Sequence, residues 1–125
     1  MSANIALFTT ELRPGGAERI VCELAAGLDR RQFTPLAVAL DARGEYADRL
    51  RASGVSVFDL GARHGWHFWR AVTTLARLLR EHDVKLLHAH LHHASIVGRL
   101  AAARAGVPCL TTCHIVERRW RPWRY

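Results

Sequence analysis

The sequence predicts an α/β fold built on an open, doubly wound parallel sheet. Two observations carry this prediction: short, almost continuous apolar runs alternate with stretches whose apolar residues recur at helical spacing, and the first strand and helix are joined by a glycine-bearing turn. Strands covered on both faces need no polar alternation, so such runs suit a parallel sheet. Five strands alternating with four helices then imply right-handed crossovers.

The elements follow in order. Residues 4–9 (N-I-A-L-F-T) form the first apolar run. After Pro14-Gly15-Gly16, the residues Ala17, Ile20, Val21, Leu24, Ala25 and Leu28 fall on one stripe of a 3.6-residue helix. Residues 34–40 read as the second strand, 45–52 as a short helix ended by Gly54, and 55–60 as the third strand. Phe68, Ala71, Val72, Leu75, Leu78 and Leu79 mark the third helix, and 84–89 (V-K-L-L-H-A) the fourth strand. Ile96, Val97, Leu100, Ala101 and Ala105 mark the fourth helix, closed by Gly106-Val107-Pro108, and 109–113 make the fifth strand. A Rossmann-like sheet normally continues to a sixth strand and helix. Residues 1–125 are therefore expected to be one domain, cut short within itself.

Composition narrows the classes. With 125 residues, 50% of them hydrophobic, the chain is long enough for a real core and too apolar for disorder. The apolar runs are too short for a membrane span, and the start (M-S-A-N) lacks the basic region of a signal peptide, so a cytoplasmic chain is expected. Cys22, Cys109 and Cys113 include no C-x-x-C pair and are odd in number, which disfavours a disulfide framework. Of the net charge of +7, residues 117–125 carry +3 through four Arg and one Glu. Any basic partner surface is therefore local. Lys85 is the only lysine.

In open α/β sheets ligands bind beyond the carboxyl ends of the strands. Gly15-Gly16 sits there, just before a helix whose free N–H groups and dipole attract anions; an ordinary tight turn explains the same residues equally well. Glu18 would favour the empty helix end yet repel a phosphate, and Arg19 is placed to compensate. The G-x-G-x-x-G fingerprint and the G-x-x-x-x-G-K-[ST] loop are both absent, which argues against a nicotinamide dehydrogenase and a P-loop nucleotidase. His88, His90, His92 and His93 follow the fourth strand, where they suit polar contacts in a cleft; a zinc site is the other reading, with no nearby carboxylate or cysteine to complete it. His114, past the fifth strand, suits a hydrogen bond to a sugar hydroxyl or to developing charge, or a structural role.

Three segments together closely resemble the N-terminal domain of glycosyltransferase family 4 enzymes of the GT-B fold. They are L-R-P-G-G-A-E-R-I-V-C-E-L-A (from Leu12), D-V-K-L-L-H-A-H (from Asp83) and A-G-V-P-C-L-T-T-C-H (from Ala105). The resemblance runs from Ile5 to His114, and G-G-A-E-R is its most specific piece. It implies a retaining transferase that moves a sugar from a nucleotide-sugar donor to a glycan, lipid-linked or small-molecule acceptor held mainly by this half. Gly15 and Gly16 would approach the donor diphosphate. His114 matches the family's active-site histidine, and His90 and His92 would face the acceptor cleft. The implied mechanism is front-face, assisted by the leaving phosphate, with no metal and no resident cofactor. The donor domain with its E-x7-E carboxylates lies outside residues 1–125, so the chain alone is expected to be inactive.

A reading of another class is a stand-alone binding module. The tail Arg118-Arg-Trp-Arg-Pro-Trp-Arg-Tyr125 mixes guanidinium with aromatic rings, which suits an anionic membrane surface or a nucleic acid, and Trp66 and Trp69 offer a second interfacial patch. The same aromatics suit packing against a missing domain. On the transferase reading no nucleic-acid partner is expected, and peripheral contact with the inner face of a membrane is.

Overall fold

The computed structural model describes residues 2–13, 15–62 and 67–112. The elements run β1 (Ala3–Glu11), α1 (Gly16–Gly27), β2 (Phe33–Asp41), α2 (Glu45–Ala52), β3 (Ser56–Asp59), α3 (Phe68–Glu81), β4 (Val84–His90), α4 (His92–Ala105) and β5 (Cys109–Thr112). All strand pairs are parallel, in the spatial order β3-β2-β1-β4-β5. This is the doubly wound, Rossmann-like arrangement, with the order reversing beside β1.

Side-chain alternation along the strands divides the core in two. Ala6, Phe8, Val38, Leu87 and Ala89 pack with Val72, Leu75, Leu79, Val97 and Ala101 of α3 and α4. On the other face, Leu7, Ala37 and Ala39 pack with Val21, Ala25, Ala47 and Leu50 of α1 and α2. Leu75, Leu87 and Phe8 are fully buried, and each such side chain contributes roughly 1.5–3 kcal/mol.

The expected stripe of α3 is the buried one, with Phe68 partly covered. Helix α4 differs from expectation. It starts at His92, and its buried residues are Ala94, Val97, Gly98, Ala101 and Ala102, while Ile96 and Leu100 stay about 40% exposed. The helix lies so close to the sheet that an added Cβ at Gly98 would stand 3.2 Å from the Ala89 Cβ and 3.3 Å from a Leu87 methyl. That close approach favours a glycine at this point of the face. Helix α1 buries Ala17, Val21 and Ala25 of the expected stripe and packs Leu24 against the core, while Ile20 is 38% exposed and Glu18 is buried.

Candidate functional site

Because the strands are parallel, the carboxyl ends of β1, β2, β4 and β5 share one rim, and the chain passes from β1 into α1 on it. Leu12 anchors this connection. Its side chain is fully buried, and its carbonyl accepts a hydrogen bond from the Tyr46 N–H in the first turn of α2 at 3.1 Å. Gly44 makes that contact possible, for it holds φ +144° and a Cβ there would run into the Leu12 carbonyl.

Helix α1 opens with Gly15 as its N-cap, and no side chain caps it. A methyl group added at Gly16 would meet, among the described residues, no atom of another part of the chain within 4 Å, so the space over that residue is open with respect to them. Gly15 is different: a Cβ there would collide with the Glu18 carboxylate, which folds back onto the helix end. Glu18 is 7% exposed and makes no hydrogen bond or ion pair among the described residues. Arg19 does not compensate it as expected, because its guanidinium bonds Glu23 Oε1 at 3.1 Å on the exposed side of the helix. Arg43 bonds both oxygens of Asp41, which hold its guanidinium above the ordinary range by hydrogen bonding first and by charge second. Arg13, exposed beside the turn, forms no ion pair among the described residues.

Across β1, His88 and His90 lie on the α1 side of β4, since the intervening Leu87 and Ala89 belong to the α3–α4 core. Their rings stack 4.0 Å apart, inclined by 36°. The Nε2 of His88 lies 2.6 Å from the Thr112 hydroxyl of β5, a strong hydrogen bond that joins the two strand ends. His90 is completely buried, whereas His92 and His93 are exposed in the first turn of α4 with their rings 5.7 Å apart. The four histidines thus divide between a strand and a helix. No group of three or more His, Cys, Asp or Glu is placed to hold a metal ion among the described residues. Thr9, at the end of β1 on the same face, is fully buried with an unbonded hydroxyl. Cys22 and Cys109 are free thiols, both pushed up from the ordinary thiol range chiefly by burial.

The rim therefore pairs an open glycine turn at a helix N-terminus with an ordered imidazole cluster. Residues 14–125 match the sequence profile of Glycosyltransferase Family 4. The chain belongs to that family. Solved structures share the fold. A glycosyltransferase from Rickettsia africae superposes with a TM-score of 0.77 at 15% identity, over 98% of this chain and 33% of that one. Anabaena HepE, solved in complex with UDP and glucose, superposes with a TM-score of 0.64 at 20% identity, over 84% of this chain and 28% of that one. The lipopolysaccharide outer core galactosyltransferase WaaB, in its apo form, gives 0.66 at 10% identity over 90% and 33%. No curated protein matches in sequence. The chain spans about a third of the length of these structures.

In this family 4 chain the structure brings Gly15, Gly16, His88 and His90 to one rim of the sheet and sets His92 on the adjoining helix. His114, Trp66 and the Arg118–Tyr125 tail lie outside the described residues. Trp69 is 68% exposed on α3 and packs edge-on against Phe68. Sequence reasoning missed Thr112, whose role depends on β4–β5 register, and the burial of Glu18. Its position three residues after the N-cap was the available signal, since a glutamate there commonly folds back on the helix end.

Proposed function

We propose that this chain is the N-terminal, acceptor-side domain of a glycosyltransferase that moves a sugar from a nucleotide-sugar donor to a glycan, lipid-linked or small-molecule acceptor with retention. The observation that carries the reading is the open space over Gly16 at the start of α1. Backbone N–H groups at a helix N-terminus bind phosphate, and a residue without Cβ lets it come close. As the glycosidic bond breaks, the diphosphate gains charge, and fixed amide dipoles stabilise that charge without reorganising. Arg13 adds a cation beside the same turn.

On this reading the acceptor enters over the β4–β5 end of the rim, past the exposed His92. Buried His90 forms part of the wall beneath it, and His114 contacts the transferred sugar. The nucleotide-sugar is a substrate, and neither a metal nor a resident cofactor takes part. A donor needs walls on both sides to exclude water, so a second domain closes the cleft and residues 1–125 alone turn over no substrate. The reaction takes place in the cytoplasm, at the inner membrane face when the acceptor is lipid-linked.

The test is donor binding by the enzyme that carries this domain. Gly16→Val is expected to raise KM for the nucleotide-sugar at least about tenfold, one large step in binding free energy, with the fold intact by circular dichroism. An unchanged KM would remove the phosphate role of the turn.

A further inference from the structure

We infer that the Glu18 carboxylate is an internal anion seated in the N-terminal site of α1, and that a phosphate-bearing ligand binds there by displacing it. The inference rests on reading the Gly15–Gly16 turn as a phosphate site. Its own basis is the placement of Glu18, which is 93% buried by residue exposure and lacks any hydrogen bond or ion pair among the described residues.

A carboxylate on a residue so largely covered has lost part of its hydration, and a nearby positive potential offsets that loss. Among the described residues, the compensation at hand is the positive end of α1, equivalent to about half an elementary charge. Glu18 occupies the third helical position after Gly15, from which a glutamate reaches back to the N-cap. In a complete capping box a serine or threonine at the N-cap answers it. Here the N-cap is a glycine, no bond forms, and the carboxylate fills the space that a Cβ would take. The absence of a side chain at Gly15 therefore admits the protein's own anion, whereas the space over Gly16 is left open.

The surrounding charges keep Glu18 free to move. Arg19, the next residue, is bound to Glu23, and Arg43 to Asp41, so neither clamps it. A phosphate bound to the helix-end amides would stand against the Glu18 carboxylate over Gly15, and their repulsion in a partly dry site opposes both staying there. A ligand phosphate that takes these amides must send Glu18 outward, toward the exposed Arg13 side of the turn. The domain thereby carries a weak competitor for its own ligand.

The test titrates the full chain with inorganic phosphate and, separately, with pyrophosphate, following the Gly16 and Ala17 amide resonances. Glu18→Gln is expected to tighten both probes by the same factor, about tenfold, because expelling the carboxylate is one cost common to every anion that uses those amides. Glu18→Ala is expected to do the same, which excludes an effect special to the new amide, and circular dichroism checks that each variant folds. Equal affinity in wild type and both variants would overturn the inference. So would a factor markedly larger for pyrophosphate, since that marks a carboxylate that stays in place and repels. If wild type binds, Gly16→Val does not, and the Glu18 variants are unchanged, only the displacement falls. If no variant binds either probe, the phosphate reading falls and takes this inference with it.

Discussion

His88 and Thr112 are joined by a 2.6 Å hydrogen bond between the ends of β4 and β5, and the same imidazole stacks on buried His90. The bond sets the plane of the His88 ring and so the surface against which His90 packs. Thr112→Val removes the hydroxyl at nearly constant volume and takes from the part-buried His88 ring its hydrogen bond to β5. The expected cost is about 1–3 kcal/mol in urea denaturation, with Thr112→Ser keeping most of the stability. Equal midpoints for all three proteins would show that the bond contributes nothing.

Gly16 separates folding from binding. An added methyl meets no packed neighbour among the described residues, and alanine favours a helix over glycine. Gly16→Ala should therefore hold or raise stability by up to about 1 kcal/mol while weakening pyrophosphate binding. A variant that is less stable, or that binds as well as wild type, contradicts the open-space assignment.

Gly44 has the opposite character. Its φ of +144° and the overlap of any Cβ with the Leu12 carbonyl make Gly44→Ala strained in both backbone and packing. A loss of about 2 kcal/mol or more is expected in thermal or chemical denaturation. Because Leu12 anchors the connection to α1, anion binding should weaken as well.

The thiols set an alkaline limit. Burial raises the Cys22 and Cys109 pKa values in the fold above those of the unfolded chain. Folding thus favours the protonated thiols, so the stability they carry is whole below the unfolded thiol pKa and is lost as pH rises through the folded values. Iodoacetamide should accordingly label Cys22 and Cys109 more slowly in the native chain than in urea at pH 8. Equal rates would mean that neither thiol is protected.

The segments that could be read from the sequence are those governed by neighbours in the chain. The short helix at residues 45–52 and the stripe of α3 follow from local periodicity, and both stand as expected. In α1 the periodicity found the buried Ala17, Val21 and Ala25 and erred at Ile20; in α4 it found Val97 and Ala101 but put Ile96 and Leu100 inside, where the close approach to the sheet favours small residues such as Gly98.

The sequence by itself determined the order of elements, the doubly wound class and the glycine turn at the start of α1, all of which are properties of residues close together in the chain. Only the tertiary structure decided that α4 brings Gly98 down onto Leu87 and Ala89, that Gly44 closes on the Leu12 carbonyl, and that Thr112 reaches His88. These are matters of register and approach between elements. Their physical cause is packing, which acts on what is near in space and leaves no periodic trace in the chain.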